Sequence, residues 1–418
     1  MVPKGWTLGT LKDLADTIMG YAFRSEDFVP TGIPLLRMGN LYQNTLDLNR
    51  NPVYLPDSFK VDYKRFLVSP GDLVMSMTGT MGKRDYGFTV EIPSNTQCSL
   101  LNQRVLKIVP KNNASSGYIL NLLRSELILS VLYSFPGGTK QANLSAKQLQ
   151  ELPVLIPPEL EQKKIAQILS TWDKAISVTE KLLTNSQQQK KALMQQLLTG
   201  KKRLLDENGT RFSETWKLYA LSKLFQRVTT KNNGKSNNVV TISGQHGLIK
   251  QEDFFKKTVA SDTLDGYFLL KKGQFAYNKS YSNGYPMGAI KRLNRYPEGV
   301  VTTLYICFEL TTPKKSCGDY WEHYFESGLL NNSLSQIAHE GGRAHGLLNV
   351  KPSDFFSLKV AAPGFEEQQK IASVLSAADT EISTLEKKLA CLKDEKKALM
   401  QQLLTGKRRV KVDEAVAV

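Results

Sequence analysis

The chain of 418 residues is long enough for two or three domains, each with a hydrophobic core of its own. Hydrophobic residues make up 41% and charged residues 22%, which is typical of folded globular proteins and argues against a disordered chain. With 55 Lys and Arg against 39 Asp and Glu, the formal net charge is +16. This surplus favours an acidic partner, with nucleic acid ahead of an anionic membrane surface.

Neither a secretory signal nor a membrane span is predicted. The N-terminus MVPKGWTLGT lacks a charged segment followed by an apolar one, and the most apolar run, residues 119–132, is interrupted by Arg124 and Glu126. The four cysteines have no paired CxxC spacing. We therefore expect a reduced protein in the cytoplasm, with no membrane partner.

Residues 1–155 contain two segments that are similar to catalytic motifs without meeting their requirements. NPVY at residues 51–54 is similar to the NPPY loop of amino-methyltransferases, but valine replaces the second proline and no FxGxG cofactor loop is present, so a turn is expected. Asp57, Asp62 and Lys64 are residue types of a metal-dependent nuclease, but they are crowded into eight residues. We expect them to lie on a solvated strand edge.

The next segment, GDLVMSMTGTMGK at residues 71–83, predicts a strand over residues 72–77 followed by a tight turn. Its glycine spacing does not match a nucleotide-binding loop, and Arg84 stands where that loop needs Ser or Thr. The turn instead presents the basic side chains of Lys83 and Arg84, which can approach a phosphate or enter a groove. A Gly-Gly pair then precedes a second polar loop with further candidates for nucleic-acid binding, Lys140, Gln141 and Asn143.

Residues 156–200 predict one long helix. It begins after a proline pair with acidic residues and ends at Gly200 before a basic run, as the helix dipole favours. At ~1.5 Å per residue, a helix of roughly 40 residues is ~60 Å long. Residues 362–410 show the same start and stop signals and predict a second long helix.

The second half of the sequence repeats the first. KALMQQLLTGK occurs twice, and an offset of 206 residues aligns residues 152–204 with residues 358–410 without a gap. Upstream the similarity is fainter, and the pattern WxLxxLxxL begins at both Trp6 and Trp216. The chain is therefore predicted to be one unit written twice, a variable globular part followed by a closely copied helix.

Along both helices, apolar residues recur at intervals that alternate between four and three residues. A sustained period of 3.5 residues indicates a coiled-coil seam, because each helix can bury such a stripe only against another helix. The alternative is two unrelated surface helices on separate cores. The residues predicted to pair the helices are Ile165, Leu169, Trp172, Ile176, Leu183, Leu193, Leu197, Ile371, Leu375, Ile382, Leu385, Leu389, Leu392, Leu399 and Leu403.

In the second half, GQFAYNKSYSNGYPMG at residues 273–288 is a weaker counterpart of the basic turn, and another Gly-Gly loop follows. HEGGRAH in that loop is not the zinc signature HExxH, since its glycines break the helix that the signature needs, and no metal site is expected. Arg and Lys suit guanine and Asn and Gln suit adenine, although several such side chains can simply face solvent. The candidates for nucleic-acid binding here are Asn278, Lys279, Tyr281, Asn283, Lys291, Arg292, Arg343, His345 and Asn349.

At PPELEQKKIAQILSTWD and LLTGKKRL the sequence strongly resembles the specificity subunit (HsdS) of type I restriction-modification enzymes. The resemblance covers essentially the whole chain, and its marks are the proline, EQ and KIA opening of both helices and the doubled LLTGK ending. It implies two target recognition domains, residues 1–155 and 201–361, and two conserved helices, residues 156–200 and 362–410. The expected fold is α+β with an internal pseudo-twofold repeat, in which an antiparallel coiled coil separates the recognition domains.

The resemblance implies a DNA-recognising subunit without catalysis of its own. In the family each recognition domain binds one half of a split site on double-stranded DNA, the helices set the gap, and two methyltransferase subunits dock on the chain. S-adenosylmethionine, ATP and Mg are expected on partner subunits, which include restriction subunits that translocate DNA, and no cofactor is expected on this chain. Because the two sets of candidate residues diverge, we expect an asymmetric site.

Two alternatives stay open. The chain can belong to a fused restriction-methylation system, although it carries no methylase motif of its own. It can also serve a methylation-only or anti-phage system that lacks restriction subunits. These alternatives differ in the neighbouring subunits rather than in this sequence.

Overall fold

The computed structural model describes residues 2–80, 82–111, 113–135, 141–255, 263–338 and 348–412. The described chain is α+β and divides into two compact units. Unit 1 comprises Met1–Glu180 and Lys387–Val418, and unit 2 comprises Lys181–Glu386. Both boundaries fall inside a long helix, so each unit contains the first part of one long helix and the last part of the other.

Short strands and short helices alternate along the part of the chain that precedes the first long helix. The strands are β1 (Thr7–Thr10), β2 (Ala15–Met19), β3 (Ile33–Leu36), β4 (Leu41–Tyr42), β5 (Thr45–Leu46), β6 (Tyr54–Leu55), β7 (Leu67–Val68), β8 (Leu73–Ser76), β9 (Thr78–Thr80), β10 (Thr89–Glu91), β11 (Ser99–Leu101), β12 (Val105–Pro110), β13 (Gln141–Asn143) and β14 (Pro153–Ile156). The helices are α1 (Leu11–Leu14), α2 (Phe59–Asp62), α3 (Ser116–Arg124), α4 (Glu126–Ser134), α5 (Ala146–Gln150) and the long α6 (Glu159–Leu197).

Unit 1 contains two four-stranded sheets. The first has the order β10-β8-β12-β2 and is antiparallel throughout, whereas the second, β6-β3-β11-β7, contains the parallel pair of β3 and β11. Every residue of β8 is buried, as expected of a short apolar run in the middle of a sheet. The main core of unit 1 packs α3 and α4 against Ile165 and Leu169 of α6.

A similar alternation of elements lies between the two long helices. The strands are β15 (Lys217–Ala220), β16 (Phe225–Arg227), β17 (Val240–Ser243), β18 (Gly247–Lys250), β19 (Phe268–Lys271), β20 (Phe275–Asn278), β21 (Ala289–Arg292), β22 (Glu298–Val301), β23 (Ile306–Leu310) and β24 (Lys359–Ala362). The helices are α7 (Leu221–Leu224), α8 (Gln251–Phe255), α9 (Gly318–Glu326), α10 (Asn331–Ile337), α11 (Pro352–Ser357) and the long α12 (Phe365–Leu404).

The centre of unit 2 is aromatic. Its four-stranded antiparallel sheet has the order β16-β23-β20-β21, and Phe275 and Phe308 on neighbouring strands stack with ring centroids 5.4 Å apart. Trp321 of α9 is fully buried in the same cluster. Leu197 of α6 and Ile371 of α12 complete this core, so both long helices are anchored to it.

Both long helices end before a glycine, in agreement with the predicted stop signals. Gly200 follows α6 and Gly406 follows α12, with φ of +70° and +67°, a conformation that favours glycine. Beyond each glycine, the N–H groups of Lys202 and Arg408 donate to carbonyls in the last helical turn at 3.1 Å. These bonds satisfy carbonyl groups that a helix end otherwise leaves without a partner.

All of the residues predicted to pair the helices are buried or half-buried. In unit 1, Lys396 Nζ of α12 lies 2.6 Å from Asp173 Oδ1 of α6, and Lys393 Nζ lies 2.8 Å from Glu180 Oε1. Residue numbers rise along α6 while those of the partners in α12 fall. The two helix segments in unit 1 therefore run antiparallel.

The helix segments in unit 2 are joined in the same sense. Ser186 Oγ of α6 donates to Glu381 Oε1 of α12 at 3.1 Å, and Lys190 forms an ion pair with Asp379. Lys190 is half-buried, with its side chain 16% exposed, so its charge depends on the partner carboxylate.

One local expectation is wrong. Asp57, Asp62 and Lys64 were expected on a strand edge, but they lie in and beside the helical turns of α2 and of residues Lys64–Phe66. The reason is the spacing of the apolar residues, because Phe59 and Tyr63 lie four residues apart, on one helical face, and cover a small core. The predicted strand over residues 72–77 is confirmed as β8.

Candidate nucleic-acid interface

In unit 1 the structure brings the two predicted loops together. β9, in the predicted basic turn, pairs antiparallel with β13 of the polar loop, with Thr78 opposite Asn143. The Met77 C=O accepts from the Leu144 N–H, and the Met77 N–H donates to the Arg104 C=O, both at 2.9 Å. One backbone network therefore joins the basic turn, the polar loop and a third turn at Arg104.

The basic turn is tightly built. The Lys83 N–H donates to the Thr80 C=O at 3.0 Å, and Asp85 Oδ1 accepts from the Thr80 N–H at 2.8 Å. A Cβ on Gly79 would lie 2.3 Å from Asp85 Oδ1, so only glycine fits there. Burial raises the pKa of the Asp85 carboxyl, but the hydrogen bonds from Thr80 outweigh it, so the pKa lies below its usual value and the carboxylate stays charged.

The predicted contacts of this turn face solvent. Lys83, Arg84 and Asn143 are exposed. Two interactions hold the Arg84 side chain in place. Its Nη1 lies 3.1 Å from Glu126 Oε2 in an ion pair, and its Cζ lies 5.1 Å from the Tyr133 ring centroid in a cation–π contact. Four other predicted contacts lie outside the part of the chain that the structure describes. They are Lys140, Arg343, His345 and the side chain of Gln141.

Unit 2 repeats the connection between its two loops. The Leu348 N–H donates to the Lys279 C=O at 2.7 Å, and Lys279 Nζ donates to the Val350 C=O at 3.3 Å. Burial, with a contribution from Arg227, lowers the pKa of the Lys279 ammonium. Lys279 thus ties the loops together, while the more accessible candidates nearby are half-buried Asn278 and exposed Tyr281, Asn283 and Asn349.

The charges of the other two candidates in unit 2 are compensated inside the protein. Lys291 Nζ lies 2.5 Å from Glu326 Oε2 and 2.9 Å from Tyr285 Oη, and its side chain is only 11% exposed. Arg292 forms an ion pair with Asp319. Both residues stabilise the packing of β21 on α9, and their predicted role in DNA binding stays a prediction.

A further basic surface in unit 1 lies outside the predicted contacts. Three arginines and four asparagine or glutamine residues line an open cavity of about 520 Å³. We call it the arginine pocket and define it by Arg37, Arg50, Arg104, Asn51, Asn102 and Gln103. The residues come from three separate segments of the chain, and only their arrangement in the fold brings them together.

The described residues contain neither a cluster of metal ligands nor a helix that could span a membrane. Within those ranges, no group of His, Cys, Asp and Glu side chains could hold a metal ion. None of the described helices is long and apolar enough to cross a membrane.

Comparison with protein families shows what the first part of this chain is similar to. Residues 3–185 match the family described as the type I restriction modification DNA specificity domain. That segment contains the globular part of unit 1, the basic turn and the polar loop, and most of α6. This part of the chain is therefore similar to a DNA specificity domain.

Curated relatives extend the similarity to the full length. The MjaX type I restriction enzyme specificity subunit of Methanocaldococcus jannaschii is 24% identical over 422 residues, which cover 98% of this chain and 95% of the relative. The EcoKI specificity subunit of Escherichia coli K12 is 22% identical over 424 residues, covering 93% and 85%. Over nearly its whole length the chain is therefore similar to type I restriction enzyme specificity subunits, which is the resemblance that its helix motifs predict.

Solved structures share the fold. The S subunit of a type I restriction-modification system from M. genitalium superposes with a TM-score of 0.57 at 13% identity, covering 96% of both chains. A chain from a structure that describes complex assembly and conformational transition of the type I R-M system gives a TM-score of 0.54 at 13% identity. It covers 98% of this chain and 100% of the other.

Proposed function

We propose that this chain recognises a bipartite, asymmetric site on double-stranded DNA and does not itself catalyse a reaction. The target recognition domain of residues 1–155 binds one half-site, and that of residues 201–361 binds the other. The two long helices pair as an antiparallel coiled coil and set the number of base pairs between the half-sites. The observation that carries this proposal is a reciprocal pairing of the helices.

Two ion pairs between the long helices involve residues at equivalent positions of the sequence repeat. Asp173 and Asp379 are equivalent at the offset of 206 residues, and so are Lys190 and Lys396. In unit 1 Asp173 pairs with Lys396, and in unit 2 Asp379 pairs with Lys190. Such an exchange of partners is what a twofold axis requires of two copies. It supports a pseudo-twofold arrangement with a recognition domain at each end of the coiled coil.

A pseudo-twofold scaffold suits two identical partners. Two methyltransferase subunits can dock on equivalent surfaces and modify adenine on opposite strands, with S-adenosylmethionine bound by those subunits. Restriction subunits would bind ATP and Mg and join the same complex in the cytoplasm. The net charge of +16 and the exposed Lys83 and Arg84 support the contact with the phosphate backbone.

Exchange of one recognition domain tests the proposal. Replacing residues 1–155 by the corresponding segment of a relative with a different target should replace one half-site and leave the other half-site and the gap unchanged. The measurement is a map of methylated adenine in host cells that express the chimaera. The matched control exchanges residues 201–361 and should replace only the other half-site. A change of both half-sites by a single exchange would contradict independent recognition.

A further inference from the structure

The arginine pocket of unit 1 concentrates positive charge that the surrounding protein does not neutralise. No Asp or Glu lines it, and none of its three arginines forms an ion pair with any residue that the structure describes. Arg37 Nη2 donates to the Asn51 C=O at 2.5 Å, and Arg50 Cζ lies 5.4 Å from the Tyr42 ring centroid. Three arginines around one cavity attract an anion, because no carboxylate in the lining balances their positive charges.

A buried amide holds two of the arginines in place. Asn40 is 3% exposed, its Oδ1 accepts from the Arg37 N–H at 2.9 Å, and its Nδ2 donates to the Arg50 C=O at 3.0 Å. The same Nδ2 donates to the Asp47 C=O at 2.9 Å, which fixes the loop between them. The backbone of the pocket is therefore organised before any ligand binds, as a specific site requires.

The third arginine occupies an unfavourable backbone position. The Val105 N–H donates to the Asn102 C=O at 3.2 Å, which closes a turn with Arg104 as its third residue. Arg104 has a φ of +71°, in the left-handed region where such turns favour glycine or asparagine. An arginine there destabilises its own turn, and its exposed side chain makes no ion pair in return among the described residues. Strain of this kind is typical of residues that serve a binding site.

The turn of Arg104 adjoins the predicted DNA contacts. Its carbonyl accepts from Met77, which lies between the basic turn and the polar loop of unit 1. The pocket also adds the amides of Asn51, Asn102 and Gln103. Arginine and amide side chains together are the chemistry that binds base edges and phosphates of DNA.

We propose that the arginine pocket binds the DNA half-site of unit 1 and that Arg104 donates to O6 and N7 of a guanine in the major groove. The inference rests on the proposed function and names the residues that carry it out in unit 1. The guanidinium fork matches the two acceptors of guanine.

The substitution Arg104→Gly separates this role from a structural one. Glycine suits the φ of the turn, so the unfolding temperature of the purified full chain should be unchanged or higher. Binding is measured for the full chain in complex with its methyltransferase subunits, using a duplex that carries the split motif methylated in wild-type cells. Affinity for that duplex should fall by about 5- to 150-fold, and the requirement for guanine should be lost at one position of one half-site.

The control variant is Arg65→Ala, which removes an exposed arginine outside the pocket and should leave affinity and specificity unchanged. Wild-type binding by the Arg104→Gly variant would overturn the proposal. A uniform loss for motif and scrambled duplexes would also overturn it, since it would indicate a phosphate contact, and a lower unfolding temperature would refute the strain argument. If the wild-type complex itself showed no preference for the motif, the proposed function would fail instead.

Discussion

A buried glutamate at the start of α12 joins three parts of unit 2. Arg203, which follows α6, donates from Nε and Nη2 to the two carboxylate oxygens of Glu367 at 2.6 and 2.7 Å. Trp216 Nε1 donates to the same carboxylate at 3.3 Å. The Glu367 side chain is 3% exposed, so its charge depends strongly on these donors.

Unit 1 contains the equivalent cluster in a more open form. Arg409, which follows α12, donates to the two oxygens of Glu161 at 3.1 and 2.5 Å, and Trp6 Nε1 donates at 3.1 Å. The Arg409 side chain is 40% exposed, against 19% for Arg203. Water therefore screens the pair in unit 1 far more than the pair in unit 2.

This difference in burial predicts different costs for the same substitution. Arg203→Ala leaves Glu367 buried without its main partner and should lower the free energy of unfolding by about 3–5 kcal/mol. Arg409→Ala, the matched variant, should lower it by much less, because the Arg409 side chain is 40% exposed and solvent screens its pair with Glu161. Urea denaturation at neutral pH, followed by tryptophan fluorescence, measures both. Equal costs for the two variants would contradict the burial argument.

At the scale of elements, half-buried lysines specify how the long helices align. Lys190 and Lys396 occupy positions on otherwise largely apolar stripes, and their side chains are only 16% and 13% exposed. Each pairs with one aspartate of the other helix, Asp379 or Asp173. A shift of one helix by a turn would bury each ammonium without its carboxylate, which disfavours other alignments.

Lengthening both helices should lengthen the gap between the half-sites. A seven-residue insertion after Glu180 and another after Glu386 keep the apolar stripe in phase and add ~10.5 Å to each helix. At ~3.4 Å per base pair, the gap should grow by about three base pairs while both half-sites stay the same. Mapping of methylated adenine measures the new motif. An altered half-site with an unchanged gap would contradict the role of the helices as a spacer.

The long helices could be predicted from the sequence because their signals are local and repeated. A 3.5-residue period, proline before each helix and glycine after it identify α6 and α12, including the residues that lose solvent contact. The turn of α2 was missed because two apolar side chains, Phe59 and Tyr63, decide a segment in which the charged residues are more prominent.

The candidate site could be predicted only in part, because it depends on contacts between distant segments. The arginine pocket forms because β3 pairs in parallel with β11, which brings Arg37 close to the turn of Arg104. That pairing could not be predicted from any local pattern in the sequence. Likewise Lys291 and Arg292 look like free cations in the sequence. In the structure their charges are neutralised by Glu326 and Asp319 of α9, which packs against β21.

At the scale of the whole molecule, neither half of the sequence makes up a compact unit alone. Unit 1 includes the last part of α12, and unit 2 includes the last part of α6. Both cores depend on this exchange, since Leu403 is buried in the core of unit 1 and Leu197 in that of unit 2. A chain built in this way suits a protein whose two recognition parts act on one DNA molecule.

Under the proposed function, this chain directs adenine methylation to a split DNA site. The most direct test is a genome-wide map of methylated adenine in cells that express the methyltransferase subunits, with the gene for this chain intact and disrupted. We predict that disruption removes one motif, made of two short defined blocks around an unspecified gap, with one modified adenine on each strand. An identical set of methylated motifs in both strains would contradict the claim.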